Sequence, residues 1–137
     1  MFFKKNKKED EDKNFVKIAS LLIHAAKIDE NFSKTEEKII TEALLKLGAK
    51  NESLESIIKA GKLMEENSNQ ILDFTREVKN MDENKKIQII ETLWQIIYSN
   101  KEADIYETNL MRRLAGLLYV DNKTMGDIKE KIKKENS

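Results

Sequence analysis

The sequence has no cysteine, no proline and only 4 glycines among its 137 residues. Without cysteine, the chain can form no disulfide framework, no thiolate metal site and no cysteine nucleophile. Without proline and with so little glycine, tight turns are scarce and long helices are favoured. The longest apolar runs contain only a few residues, so no segment is predicted to cross a membrane.

The amino terminus lacks the apolar stretch of a signal peptide, because Met-Phe-Phe is followed at once by lysines. We therefore expect a cytoplasmic location. The chain also lacks excess charge of either sign, with 25 basic and 25 acidic residues. Only Arg76, Arg112 and Arg113 could bind a phosphate through a guanidinium group. No nucleic-acid partner is predicted, since nothing in the overall charge attracts a polyanion.

Apolar residues make up 39% of the chain and charged residues 36%, as in a small soluble domain with a charged surface. Residues 1–13 are predicted to be a flexible charged arm, because lysines followed by acidic residues show no apolar periodicity. An alternative is that residues 2–8 make a weak peripheral membrane contact through Phe2, Phe3 and the lysines. The folded domain is predicted to span residues 14–137.

From Asn14 onward, apolar residues recur with the period of a helix. The pattern predicts an all-α fold, a single compact bundle of about seven helices. The second helix is expected to follow Ser33 and end at Gly48, and the third to follow Asn51. The fourth is expected to span about 69–79 and the fifth about 83–98. The sixth is expected to follow Asp104 and the seventh to follow Asn122.

An acidic loop between two apolar helices occurs twice, at residues 29–36 and again 71 residues later at 100–107. The same offset pairs apolar positions well beyond the loops, for example Leu22 with Leu93 and Leu47 with Leu118. The chain is therefore predicted to contain two pseudo-repeated three-helix units, with the fourth helix as a connecting helix. Two units are too few for an open solenoid, so a closed bundle is expected.

The acidic loops allow two interpretations. Ser33 and Glu36 form the pattern of a capping box, and Asp104 with Glu107 repeats it, so helix capping accounts for these side chains. The loops also offer the oxygen ligands that calcium and magnesium prefer. An EF-hand is excluded, because Lys34 stands where that loop needs glycine and Ile40 where it needs glutamate. A different divalent-cation site would use Asp29, Asn31, Glu36, Asp104 and Glu107.

No catalytic constellation is evident. His24, the only histidine, is predicted to be a solvated helix residue, and no serine has a histidine and a carboxylate at a suitable spacing. No glycine-rich loop is present to hold a phosphate. Trp94 and Tyr98 lie one helical turn apart, and they are predicted either to belong to the core or to bind a protein partner.

The loop motif resembles that of the tellurite-resistance protein B (TerB-like) domain family, roughly Ala-Asp-Gly-x-x-Ser-x-x-Glu. Here it reads Ile28-Asp29-Glu30-Asn31-Phe32-Ser33-Lys34-Thr35-Glu36, with Glu30 in the glycine position. The second copy departs from the family pattern at Asn100 and Lys101. The resemblance covers about residues 14–134 and implies an all-helical domain without established enzymatic activity. It further implies a link to metal-resistance systems, with the acidic loops as a metal-binding or interaction surface.

Two functions are therefore expected. The first is a non-enzymatic protein-interaction or scaffold domain in a bacterial stress or tellurite-resistance response, with a protein partner of unknown identity. The alternative is a domain that binds or senses a divalent cation such as calcium through its acidic loops. No other cofactor is predicted.

Overall fold

The computed structural model describes residues 2–29, 33–67, 72–99 and 105–135, without the side chains of residues 2–12, 29, 72–74 and 105. Every regular element in these ranges is helical. The α-helices, numbered α1 to α7 in chain order, are Phe2–Ala26, Lys34–Lys46, Leu54–Asn67, Leu72–Lys79, Glu83–Tyr98, Ile105–Leu117 and Asn122–Glu135. Short 3-10 turns at Lys27–Asp29 and Asn51–Ser53 follow α1 and precede α3. The predicted all-α fold with seven helices is confirmed.

The first helix begins earlier than the sequence pattern indicated. It starts at Phe2, whereas apolar periodicity begins only at Asn14, so residues 2–13 are helical rather than irregular. Apolar spacing marks only the part of a helix that packs on a core, and this stretch contains neither proline nor glycine to stop the helix. Whether residues 1–13 act as a separate arm, and whether residues 2–8 touch a membrane, stay predictions.

Three helices begin at side-chain caps. Ser33 caps α2, Asp82 caps α5 through the backbone N–H of Lys85 at 2.9 Å, and Asp121 accepts from the N–H of Thr124 at 2.7 Å just before α7. Each cap supplies an acceptor for an N–H that has no partner inside the helix. These caps explain why the predicted starts of α2, α5 and α7 agree closely with those of the structure.

The carboxyl ends of α2 and α6 close in the same way. In α2, Gly48 has a left-handed φ of 110° and Ala49 N–H donates to Leu44 O at 2.9 Å. In α6, 71 residues later, Tyr119 has a φ of 56° and Val120 N–H donates to Ala115 O at 3.0 Å. The equivalence of the two halves stays a proposal, and these matched hydrogen bonds support it.

The core is built around α1 and α5. Residues 18–23 of α1 are all buried, and so are residues 92–94 and 96–98 of α5. A helix that is buried on every side must be surrounded by other helices. Accordingly α1 contacts α2, α3, α4 and α5, whereas α5 contacts α1, α2 and α7.

Helices α1 and α3 approach each other most closely near Gly61. A Cβ built on Gly61 would lie 3.0 Å from the Cβ of Ala19, and Ser20 Oγ donates to Gly61 O at 3.1 Å. The close approach of α1 therefore explains why residue 61 is a glycine. On the surface, Lys17 of α1 pairs with Glu77 of α4 at 2.9 Å.

Candidate functional site

The first acidic loop ends in a complete capping box. Ser33 N–H donates to Glu36 Oε1 at 2.9 Å, and Glu36 N–H donates to Ser33 Oγ at 3.1 Å. The Glu36 side chain is buried, with only 1% of its residue surface exposed. The capping interpretation is thus confirmed for Ser33 and Glu36, and one Glu36 oxygen serves the start of α2.

The second loop leads into α6, where Glu107 occupies the first turn. Its exposed fraction is 4%, close to that of Glu36, while its neighbour Tyr106 is 73% exposed. Both glutamates make interactions within the chain beyond the capping box. Burial of two carboxylates beside two helix N-termini fits the positive end of each helix dipole.

The remaining predicted cation ligands lie outside the described part of the structure. Asn31 and Asp104 belong to the undescribed stretches, and Asp29 ends a 3-10 turn without a described side chain. Among the described residues, no cluster of three or more His, Cys, Asp or Glu side chains could hold a metal ion. The set of Asp29, Asn31, Glu36, Asp104 and Glu107 therefore stays a prediction.

The only histidine lies beside a carboxylate. His24 Nδ1 is 3.4 Å from Glu65 Oε1, and Lys27 Nζ is 2.8 Å from Glu65 Oε2. The hydrogen bond that Lys27 Nζ donates to the Glu65 carboxylate is the main cause of the raised pKa of Lys27. This group joins α1 to α3. His24 is thus partly exposed and in contact with Glu65, whereas the sequence analysis predicted a solvated helix residue.

Trp94 and Tyr98 form a stacked aromatic pair on α5. Their ring centroids are 5.9 Å apart with an interplanar angle of 24°. Both residues are buried, and Trp94 is only 3% exposed. Burial, followed by the negative charge of Glu130, raises the pKa of Tyr98. Neither side chain can project into a partner as an exposed anchor, so any contact must reach them from outside.

Such access exists at Trp94. An open cleft of about 240 Å³ lies between α5, α6 and α7, and Trp94 lines it. The nearby buried residues Met111 and Met125 form its apolar floor, and Arg112 and Lys129 carry the charges of its lining. Lys129 Nζ lies 5.5 Å from the centroid of the Trp94 ring, within cation–π range. We refer to this site as the Trp94 cleft.

Sequence patterns did not reveal the Trp94 cleft. Its one local signal was Gly126, a glycine inside the pattern of the last helix, where alanine would stabilise the helix better. The cleft depends on a gap between α6 and α7, which no spacing along one helix encodes. The arrangement offers an apolar surface with two cations, which is suited to recognition.

The fold and these sites define a class of small domain, helical throughout its described residues, in which Ser33 at the end of the first acidic loop caps α2. A comparison with protein families identifies the class: the profile of the tellurite resistance protein TerB matches residues 15–130. The chain belongs to the TerB family, which confirms the resemblance carried by the loop motif. Domains of this family are associated with tellurite resistance and are generally non-enzymatic.

Comparisons with curated proteins and with solved structures found no match. Within the described ranges, no helix is long and apolar enough to cross a membrane. The cytoplasmic location stays a prediction from the sequence.

Proposed function

We propose that this chain is a non-enzymatic protein-interaction module acting in a bacterial tellurite or stress response. Membership of the TerB family supports a role in the tellurite response. The observation that carries the interaction role is the Trp94 cleft, where a buried aromatic residue lines an open apolar depression. Aromatic side chains in largely desolvated pockets supply much of the binding energy in protein interfaces.

The lining of the cleft favours recognition over catalysis. Its charged side chains, Arg112 and Lys129, are both cationic, so the lining provides no carboxylate to act as a general base. In the described structure, Glu36 is engaged in capping α2 and Glu65 pairs with Lys27. These carboxylates serve the fold, and a binding surface is the function that the geometry supports best.

Photo-crosslinking in the host tests the interaction role. A photoreactive amino acid is placed at Asn122 on the cleft, at Tyr106 beside the second acidic loop, or at Leu63, which is 53% exposed on α3. Cells are then challenged with tellurite. We expect a discrete protein adduct from position 122 and none from position 63. Identical adducts from all positions, or none from any, would contradict the proposal.

An adduct from position 106 alone has a separate meaning. It would keep the chain as an interaction module and move the contact to the acidic-loop face.

The second candidate function is divalent-cation binding. Glu36 and Glu107 are buried in the first turns that follow the two acidic loops, so two carboxylates with little access to water follow the other predicted ligands closely along the sequence. Hard cations prefer such oxygen ligands. This arrangement favours a cation site that draws on Asp29 and Asp104 as well.

Calorimetry and thermal melting separate this candidate from the first. The chain and Asp29→Asn are titrated with calcium, magnesium, manganese and zinc. Asp121→Asn serves as the matched control, because that carboxylate caps α7. We expect heat and a higher melting temperature for the unaltered chain and for the control, and less of both for Asp29→Asn. No heat and no melting shift at millimolar ion would exclude cation binding.

A further inference from the structure

The 4 glycines of this chain fall into two kinds. Gly48 has a left-handed φ of 110°, and Gly61 has Ala19 within 3.0 Å of the place of its missing Cβ. Gly116 and Gly126 lie inside α6 and α7, yet a Cβ built on either would meet nothing within 4 Å. Glycine destabilises a helix relative to alanine. Packing within the described chain gives no reason for these two residues.

Gly126 lines the Trp94 cleft together with Trp94, whose side chain carries a donor without an acceptor. Trp94 Nε1 is the buried side-chain polar atom in the described residues that has no hydrogen-bond partner. An indole N–H is a donor only, and burial without an acceptor is unfavourable. The indole N–H of the aromatic residue that lines the cleft therefore has no acceptor within the described chain.

The positive charge of the cleft lining favours an acidic partner. Arg112 and Lys129 are its charged lining residues and both are positive, although the chain as a whole has a net charge of zero. An occupant with carboxylates beside an apolar group complements these cations and the floor formed by Met111 and Met125.

The corresponding positions in the first half of the chain carry different side chains. Counting back 71 residues, Ile58 corresponds to Lys129 and Ile23 to Trp94, and both isoleucines are buried in the core. Glu55, an exposed residue of α3, corresponds to Gly126. In the second half, an aromatic ring and a cation therefore occupy the positions of two buried isoleucines, and a glycine occupies the position of an exposed glutamate.

We propose that the Trp94 cleft binds an acidic peptide segment of a partner protein, which inserts one apolar side chain while its carboxylates pair with Arg112 and Lys129. The proposal rests on the interaction role proposed above. A volume of about 240 Å³ suits one large side chain and is below the roughly 300–1,000 Å³ typical of small-molecule pockets. The missing Cβ of Gly126 lets a partner's backbone approach α7 closely.

Peptide selection on the full chain tests the chemistry of the partner. A displayed library of random dodecapeptides is selected against the protein, and enriched peptides are synthesised for titration. Trp94 is the only tryptophan, so its fluorescence reports on the cleft directly. We expect enriched sequences with one large apolar residue flanked by Asp and Glu, and a saturable change in Trp94 emission.

Matched glycine variants locate the binding. Gly126→Leu fills open space in the cleft and should weaken peptide binding at least about tenfold. Gly116→Leu makes the same change in the other open helical glycine, which lies on a different cleft with Tyr119, and should leave the affinity unchanged. The double variant Arg112→Glu with Lys129→Glu should also lose binding of acidic peptides, with its helical circular dichroism retained.

Three results would overturn the proposal. They are enrichment of basic or purely apolar sequences, absence of enrichment over a selection without protein, and enriched peptides that bind Gly126→Leu as tightly as the unaltered chain. Dodecanoate is titrated as a small amphiphile. If it binds through Gly126 and no peptide does, the cleft is a small-molecule site. A crosslinked partner at position 106 would preserve the interaction role even if the peptide proposal failed.

Discussion

Tyr119 closes α6 with the same left-handed backbone that Gly48 gives to α2, although tyrosine carries a Cβ and glycine does not. Both residues are followed by an N–H that donates back into the last turn, from Ala49 to Leu44 O and from Val120 to Ala115 O. The left-handed conformation destabilises any residue with a Cβ by roughly 1–2 kcal/mol. The two positions should therefore respond oppositely to substitution.

Gly48→Ala should lower the free energy of unfolding by about 1–2 kcal/mol, because its φ of 110° becomes strained. Tyr119→Gly should raise it by up to about 1 kcal/mol, reduced by the loss of the contact between Lys79 Nζ and the ring of Tyr119 at 4.6 Å. Urea unfolding measures both. A destabilised Tyr119→Gly would show that the exposed ring stabilises the fold more than its backbone destabilises it.

Substitutions at two helical glycines should also change stability in opposite directions. Gly61→Leu should destabilise the protein by about 1–3 kcal/mol or more, because its Cβ is confined by Ala19 and Ile23. Gly126→Leu should stabilise it by roughly 0.5–1 kcal/mol, since leucine is the better helix former and its Cβ enters open space. Thermal melting of both variants provides the measurement. Equal destabilisation would mean that α7 packs more tightly than the structure shows.

The capping box at α2 should contribute measurably to stability. Ser33→Ala removes the acceptor for Glu36 N–H and should cost about 1 kcal/mol. Ser56→Ala removes an exposed hydroxyl that donates to Ser53 O just before α3, and it should change stability by less than about 0.5 kcal/mol. Chemical unfolding measures the stability of both variants. Equal losses of stability would show that the Ser33 cap contributes no more than an exposed hydroxyl.

Asp121 gives α7 a pH-dependent cap. The backbone N–H of Thr124 donates to its carboxylate, and this hydrogen bond is the main reason that the pKa of Asp121 lies below its ordinary value of 3.8. A lowered pKa in the folded state means that the charged form stabilises the fold above pH 3.8, and that this stabilisation is lost as pH falls through the folded pKa.

Asp121→Asn should therefore lose less stability than the unaltered chain on acidification below pH 3.8, because its amide oxygen accepts the same bond without titrating. Melting temperatures measured between neutral and strongly acidic pH provide the comparison. Asp127→Asn, on the same helix, changes the net charge equally without touching the cap. Identical acid profiles for Asp121→Asn and the unaltered chain would contradict the assignment.

Local sequence signals predicted much of this fold. The fifth helix was expected from about Glu83 to Tyr98 and has those bounds, and Ser33 and Gly48 mark the ends of the second. These signals succeed because caps and closing residues act within one turn. The start of α1 was missed, since its first residues are helical without apolar spacing.

The Trp94 cleft was not predictable in the same way. Gly126 is visible as a glycine in a helix, but only its surroundings show that no neighbour requires it. Tyr119 likewise gives no local signal for a left-handed backbone, and only its offset of 71 residues from Gly48 hints at one. The gap between α6 and α7 arises from tertiary packing, which one sequence does not encode locally.

Survival under tellurite is the most direct test of the claim that this TerB-family chain acts by binding a partner at the Trp94 cleft. The host gene is deleted and complemented with the unaltered chain, with Gly126→Leu or with Gly116→Leu, at matched protein levels. The account predicts that Gly116→Leu restores survival and that Gly126→Leu, although folded, does not. Equal restoration by both variants would contradict it.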